Sequence, residues 1–301
     1  MRGHEMKLPT LVLDLDDSIR RLPNENRLRP ATHWREQVRF GCSIKHFRQF
    51  WAETEKTLPP TEQYGTVLIG SGDFHHLTLP LVQHCLKNKT GSMRLIVLDN
   101  HPDNMRFPWG IHCGSWVRHA ALLPQISHIH VVGVTSQDIS VKHAWENYLA
   151  PLFRGRVTYW STGVNVGWGK NIGIGKAFQH FNSSETLCEA FCSMLAQQPE
   201  PTYLSIDKDV FSPSVVRTNW DQGQMTIPEA LRIIKALSGS LVGSDITGEV
   251  SEWQYQTAWK RWLSAADGQQ LIFGETLNEL HNEHATLNLQ LLEALAFSRK
   301  V

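Results

Sequence analysis

The chain has 301 residues, enough for one large α/β domain or two small ones, and its 29 basic residues balance 29 acidic ones. This balance provides no basic field for nucleic acid or an anionic membrane, and the apolar stretches are too short to span a bilayer. No apolar segment of the signal-peptide type precedes Leu11, and the five cysteines are scattered and odd in number, so we expect a cytoplasmic protein with reduced thiols.

The predicted elements alternate along the chain between strands and helices. Short apolar, β-branched runs predict strands at 11–15, 66–69, 95–98, 129–134, 157–160, 203–206 and 241–246. Helical spacing of apolar residues predicts helices at 44–56, 77–87, 141–149, 185–196, 227–237, 252–265 and 275–297. This alternation is typical of an α/β fold with a mostly parallel sheet covered by helices on both faces. Since no repeat, low-complexity tract or linker interrupts it, we expect a single domain over residues 1–301.

Polar motifs follow two of these strands directly. Asp99, His101 and Asp103 come after the third predicted strand, and Asp207 and Asp209 come after the sixth. Alternate residues of an extended chain point to the same side, so the members of each motif converge as they leave the sheet. Open α/β sheets bind their ligands at the carboxyl ends of the strands. We therefore expect the two motifs to share one site.

A third motif, which contains Asp73, His75 and His76, follows the second predicted strand. Four carboxylates buried together without cations would be prohibitively unstable. Carboxylates with one or two imidazoles suit Mn²⁺ or a related hard divalent ion, and two such ions can activate water for hydrolysis. The sequence thus predicts a two-metal site in which either His75 or His76 is a ligand.

Five motifs in this order resemble the arginase–agmatinase (ureohydrolase) superfamily, which binds two Mn²⁺ per chain. The family patterns are G-G-D-H, D-x-H-x-D, G-x-x-H-G, S-x-D-x-D-x-x-x-P and D-x-x-E, and the corresponding segments here are 72–75, 99–103, 110–114, 205–213 and 245–249. The resemblance implies a three-layer α/β/α fold with a mostly parallel sheet of about eight strands. It implies metal ligation by His75, Asp99, His101, Asp103, Asp207 and Asp209.

The resemblance also implies catalytic and substrate-binding roles. His112 would shuttle a proton, Asp103 would orient the attacking water, and Glu249 or Asp73 would bind the substrate guanidinium. The chain departs from the family in two places: Phe74 is inserted before the histidine pair, and Gly248 adds a residue before Glu249. The first insertion leaves His75 or His76 as the ligand, although the register of the following residues favours His75.

The segment after Asp103 indicates the substrate. Enzymes that act on free arginine usually carry small polar residues there, whereas this chain has Met105, Arg106, Phe107 and Trp109. In this respect the chain resembles an atypical branch that includes enzymes converting arginine to ornithine within ribosomally made peptides. The resemblance therefore implies an arginine-containing peptide as substrate, urea and ornithine as products, and contact of Trp109 with the peptide. The alternatives are another metal-dependent hydrolase of a small guanidine or acyl-amine, and a non-catalytic metal-binding domain of the same fold.

Overall fold

The structure is a computed structural model and describes residues 8–87, 89–266, 268–270, 272 and 274–299. The first seven residues, on which the expectation of no leader segment partly rests, lie outside this range. The strands are β1 Thr10–Leu13, β2 Glu25–Leu28, β3 Gly41–Cys42, β4 Val67–Ser71, β5 Met93–Leu98, β6 Ile111–His112, β7 Ile126–Val134, β8 Val157–Thr162, β9 Phe178–Phe181, β10 Thr202–Asp207 and β11 Leu241–Glu249.

Helices connect these strands. They are α1 His33–Val38, α2 Ile44–Thr54, α3 Thr78–Leu86, α4 Trp116–Ala120, α5 Ala150–Phe153, α6 Trp168–Asn171, α7 Ser184–Gln197, α8 Ile227–Ala236, α9 Ala258–Ala266 and α10 Glu275–Ser298. Within the described ranges, none of these helices is both long enough and apolar enough to cross a membrane.

Nine strands form one parallel sheet in the order β2-β1-β4-β11-β10-β5-β7-β8-β9. The short β3 and β6 pair separately and antiparallel. All seven predicted strands are present, and the predicted α/β class is confirmed. The sheet has nine strands, one more than the expected number of about eight, because β2 and β9 form its two edges. Their sequences, ENRL and FQHF, lack the continuous apolar run that marks a strand buried on both faces.

The strands separate two apolar cores, one on each face of the sheet. Leu95 and Val97 of β5 pack into the core covered by α1 to α6, whereas Ile96 and Leu98 pack into the core covered by α7, α8 and α10. This alternation is the period of two that an extended chain imposes. Each fully buried side chain of this size contributes about 1.5–3 kcal/mol relative to exposure. The three-layer arrangement expected from the sequence is therefore present.

The predicted helix at 141–149 is wrong. In the structure this segment contains a 3₁₀ turn at Ala144–Glu146 and otherwise irregular backbone. The side-chain amide of Asn147 donates to the Asp138 carbonyl at 2.7 Å, and Met105 forms an isolated bridge with Asn147. These bonds take the place of helical hydrogen bonds, and asparagine side chains commonly compete with a helix in this way.

The predicted helix at 252–265 begins later, as α9 at Ala258. Glu36 of α1 accepts hydrogen bonds from the backbone amides of Gln256 (3.1 Å) and Thr257 (3.2 Å) just before it. The carboxylate of a distant helix therefore binds the amides that precede α9, and no local pattern in the sequence reveals this partner.

Candidate metal centre

Three of four adjacent strands of the sheet hold the predicted ligands at their carboxyl ends. His75 lies in the 3₁₀ turn Gly72–Leu77 that follows β4, and Asp99 follows β5 directly. Asp207 is the last residue of β10, and Asp209 lies in the 3₁₀ turn after it. Because β4, β11, β10 and β5 are adjacent in the sheet, their ends form one continuous edge.

One group of potential ligands surrounds the imidazole of His75. Its Nδ1 lies 2.8 Å from Oδ2 of Asp103, 3.3 Å from Oδ2 of Asp99 and 3.3 Å from Oδ2 of Asp207. All four side chains are buried. The ligand atoms of His75, Asp99 and Asp103 lie within 4.8 Å of one another, close enough to share one ion.

A second group overlaps the first through Asp99. The Nδ1 atom of His101 lies 2.9 Å from Oδ2 of Asp209 and 3.7 Å from Oδ1 of Asp99. The ligand atoms of these three residues also lie within 4.8 Å of one another. Asp99 thus has one oxygen beside each imidazole, which is the arrangement of a bridging carboxylate. The structure brings together all six predicted metal ligands.

The donor set fits two divalent cations. Among the described residues, Oδ2 of Asp99 is buried and has no hydrogen-bond partner, so it is an acceptor without a donor. Burial and the neighbouring Asp99 charge raise the pKa of Asp103 to about 7, and the same two causes raise that of Asp209 to about 6. Carboxylates packed this closely repel one another, and two divalent ions would supply the positive charge that offsets the repulsion. Oxygen and imidazole donors favour a hard ion of the Mn²⁺ type.

His75, rather than His76, lies with the predicted ligands. The ring of His76 packs against Phe47 at 5.5 Å between centroids, and no described residue forms a hydrogen bond with either of its nitrogens. Burial lowers the pKa of His76 well below its ordinary value, so it is a neutral core side chain.

A hydrogen-bond chain holds His75 from behind. Its Nε2 lies 3.0 Å from Oγ of Ser205, and this hydroxyl donates to Oδ1 of Asp245 at 2.7 Å. Tyr203 donates to the other oxygen of Asp245 at 2.8 Å. Since Ser205 donates its proton to Asp245, it accepts from Nε2, and Nδ1 of His75 is the nitrogen that faces the carboxylates and would bind a metal. The motifs contained Ser205 and Asp245, but the sequence did not reveal this orienting role.

Asp103 is also held in place. Trp116 of α4 donates from its indole nitrogen to Oδ2 of Asp103 at 2.6 Å. Asp103 has a positive φ of 46°, which is uncommon for a residue other than glycine and turns the chain sharply after His101. This conformation returns the third carboxylate of the motif to the site, an arrangement that simple strand alternation does not predict.

His112 lies at the end of β6, on a loop beside the carboxyl edge of the sheet. Its Nδ1 accepts from the backbone amide of Gly114 at 3.0 Å, so its hydrogen is carried by Nε2. Its ring stacks on Phe40 and meets the edge of Phe107 at 4.6 Å between centroids. Burial lowers the pKa of His112 to about 3, so the imidazole is neutral near pH 7.

The two carboxylates predicted to bind a guanidinium already have partners. Asp73 accepts from the buried guanidinium of Arg39 at 2.5 Å and from the amide of Gln269 at 2.6 Å. Glu249 accepts from Nζ of Lys208 at 2.5 Å and from Asn288 at 2.7 Å. Their roles in substrate binding therefore stay predictions, and no feature of the sequence signalled these pairings.

Aromatic side chains form a rim beside His112. Trp109, predicted to contact substrate, is 77% exposed and packs edge-on against Phe107. Phe107 in turn contacts the ring of Trp259 at 5.8 Å between centroids. The contribution of Trp259, which belongs to α9, was not predicted from the sequence.

The structure superposes on an arginase of Entamoeba histolytica in complex with L-ornithine with a TM-score of 0.50. The sequences are 13% identical, and the match covers 87% of this chain and 97% of that one. The chain has the arginase fold. The fold expected from the sequence motifs is thereby confirmed.

Other comparisons are more distant or less informative. No family model matches the arginase-fold chain described here. An uncharacterized protein of Thermotoga maritima is 26% identical over 216 residues, which are 70% of each chain. A proclavaminate amidino hydrolase from Streptomyces clavuligerus is 18% identical with a TM-score of 0.47, and the match covers 79% of this chain but 66% of that one. This chain thus spans just under two thirds of that enzyme.

Substitution of the shared carboxylate should remove metal from both halves of the centre. We expect Asp99→Ala to lose both Mn²⁺ ions. Asp209→Ala affects only the group around His101, so it should bind the ion beside His75 more tightly than the ion beside His101. The metal-to-protein ratio after gel filtration measures this. Asp138→Ala is a matched control, because Asp138 belongs to a third, half-exposed group with His143 and Glu146. Full metal content in Asp99→Ala would contradict the bridged arrangement.

The stability of the metal-free chain should fall as pH rises from about 4 to 8. The raised pKa values of Asp103 (about 7) and Asp209 (about 6) mean that the folded state retains protons that the unfolded chain, with pKa 3.8, has released. Burial alone would lower the pKa of His75 and of His101, but the carboxylates raise both, so their contribution is also lost as pH rises. Asp99, whose pKa is lowered, is ionised in both states throughout this range.

Thermal unfolding of chelator-treated protein across this pH range measures the trend. Added Mn²⁺ should reverse it, because the ions bind the ionised carboxylates and displace their protons. A flat or rising melting temperature without metal would show that these carboxylates are ionised in the metal-free protein.

Proposed function

We propose that this chain is a metal-dependent hydrolase of the arginase–agmatinase superfamily that cleaves the guanidinium C–N bond of arginine within a peptide, giving ornithine and urea. One observation carries the proposal: two groups of buried histidine and aspartate side chains overlap at Asp99 on the carboxyl edge of an arginase-fold sheet. The proposed cofactor is a pair of Mn²⁺ ions. His75, Asp99, Asp103 and Asp207 would hold one, and Asp99, His101, Asp207 and Asp209 the other.

When bound, the two ions would supply Lewis-acid activation of a water molecule near neutral pH. The residues of the chain would do the remaining work. Asp103, fixed by Trp116, is placed to accept a hydrogen bond from the water and so orient it toward the guanidinium carbon. His112 is neutral near pH 7, so it would first take up the proton that the attacking water releases and then, as the imidazolium, deliver a proton to the nitrogen that leaves as the ornithine amine. The water oxygen then becomes the oxygen of urea.

Asp73 is the better placed of the two carboxylates proposed to bind the guanidinium. It lies in the same 3₁₀ turn as His75, and its Oδ1 accepts a hydrogen bond from the neutral amide of Gln269. A substrate guanidinium would displace that amide, since a charge-assisted bond is stronger than a neutral one. Arg39, already paired with the other oxygen, shows that this carboxylate accepts a guanidinium.

A second candidate function is hydrolysis of a neutral acyl-amine. The observation that favours it is the pairing of both Asp73 and Glu249 in the structure, because a neutral substrate needs no carboxylate partner. The two candidates differ in product. Urea release from an arginine-containing peptide supports the first, and amine release from an acylated amine without urea formation supports the second.

His112→Ala should lower turnover without removing metal. A general acid contributes about 10²–10⁴-fold to rate, so we expect kcat to fall within that range. Metal content should be unchanged because His112 belongs to neither ligand group. Steady-state urea release and metal analysis of the same preparation test both statements. Loss of metal in this variant would make His112 a ligand instead.

A peptide should be a much better substrate than free arginine. The free amino acid would bring an ammonium and a carboxylate to a rim formed by Trp109, Phe107 and Trp259, where unpaired charges bind poorly. A peptide presents amides there, and contacts remote from the reacting bond support catalysis. We therefore expect higher kcat/KM for an internal arginine, measured as urea released at matched substrate concentrations. Equal or better turnover of free arginine would contradict the peptide substrate.

Trp109→Ala tests whether the aromatic rim contacts the peptide. It should raise KM for the peptide more than for free arginine. Phe297→Ala is the matched control, since Phe297 is equally exposed, at 78%, but lies at the end of α10, two residues before the bridge between Arg299 and the start of β11. An equal effect of both substitutions would mean that the rim does not contact the peptide.

A further inference from the structure

A charged cluster is buried directly behind the metal centre. Lys208 stands between two of the ligands, Asp207 and Asp209, and its side chain is completely buried. Its Nζ lies 2.5 Å from Oε1 of Glu249, which is itself only 3% exposed. Taking an ammonium and a carboxylate out of water is costly, and an apolar pair of similar volume is often as stable. The pair therefore points to a role other than stability alone.

Two side chains of helix α10, His284 and Asn288, complete this cluster. Nε2 of His284 lies 3.0 Å from the carbonyl of Arg217 and therefore donates to it. Nδ1 of His284 is then an acceptor, and it lies 3.2 Å from Nζ of Lys208. Asn288 donates to Oε1 of Glu249 at 2.7 Å. Helix α10 thus fixes both partners of the ion pair from one side.

The inserted glycine lies where the end of β11 approaches the turn that carries two of the ligands. The pairing of β11 with β4 shifts register twice, between Ile246 and Thr247 and again between Thr247 and Glu249, so the extra residue Gly248 is matched by an extra residue, Ile69, in β4. Gly248 has a φ of +91°, and a Cβ atom there would lie 2.5 Å from Oδ1 of Asp207 and 2.6 Å from the backbone nitrogen of Lys208. The backbone at the end of β11 therefore packs directly against the turn that carries Asp207 and Asp209, and the side chain of the next residue, Glu249, reaches Lys208.

We propose that Lys208 and Glu249 are positioning residues: their ion pair ties the end of β11 to the turn that carries Asp207 and Asp209, and Glu249 does not contact the substrate. The inference rests on the proposed function only in that the centre binds metal. Groups that orient metal ligands without touching the ion are known to affect metal affinity strongly. A ligand turn released from β11 would hold its two carboxylates in a wider range of positions.

The test separates this role from substrate binding. We would measure Mn²⁺ affinity by titration calorimetry, and KM for an arginine-containing peptide at saturating Mn²⁺, for Glu249→Gln and Lys208→Met. We expect both variants to lose about 10–100-fold in Mn²⁺ affinity, the range for such orienting groups. The KM of the metal-saturated variants should stay at the original value. A residue that binds the guanidinium would show the reverse pattern.

Two further variants control for stability. The double variant Lys208→Met with Glu249→Gln leaves no unpaired buried charge, so it should melt closer to the original chain than either single variant while its Mn²⁺ affinity stays reduced. If a single variant fails to fold, the Mn²⁺ affinity of the double variant tests the proposal instead. Arg94→Gln is the matched control: Arg94 is a buried cation, 3% exposed and paired with Glu200, near the amino end of β5. It should lower the melting temperature and leave Mn²⁺ affinity unchanged.

Unchanged Mn²⁺ affinity in the folded double variant would overturn the proposal, as would a raised KM for Glu249→Gln with metal binding intact. Neither result would affect the proposed hydrolase. Failure of the original chain to bind Mn²⁺ would instead overturn the metal centre, and the proposed function with it.

Discussion

The structure at the carboxyl edge of the sheet depends on the crowding of four aspartates around two imidazoles. Asp99, Asp103, Asp207 and Asp209 are all buried, and the charge of Asp99 helps to raise the pKa of two of the others. Such a set is stable at neutral pH only with compensating positive charge. Two divalent cations would provide it, and the surrounding elements hold these oxygens close together.

Much of this arrangement is predictable from the sequence because it depends on short-range rules. Apolar runs predicted the seven central strands, and the polar motifs at the ends of two of them predicted Asp99, Asp207 and Asp209 as ligands. The edge strands β2 and β9 escaped prediction because their sequences are polar, and the helix predicted at 141–149 is displaced by local hydrogen bonds of Asn147. The choice between His75 and His76 required the structure, since both follow the same strand and only the 3₁₀ turn determines which ring faces Asp103.

The partners of the site residues could not be predicted because they come from remote parts of the chain. Arg39 of the segment after α1 pairs with Asp73, and helix α10 contacts Glu249 from about forty residues away along the sequence. A motif specifies which residue types are present but not which face of the sheet they occupy. Register shifts such as the two around Thr247 help to decide that face, because side chains alternate with a period of two.

This dependence on register has a consequence for substrate recognition. The resemblance to the family pattern implies that Glu249 binds the guanidinium, whereas in the structure its carboxylate pairs with Lys208, between the ligands Asp207 and Asp209. Lys208 and Glu249 therefore act as one unit, because each would be an unpaired buried charge without the other. If Glu249 acts only through Lys208, as proposed above, recognition of the proposed peptide would rely on Asp73 and the aromatic rim, which suits a larger ligand whose binding is spread over the surface.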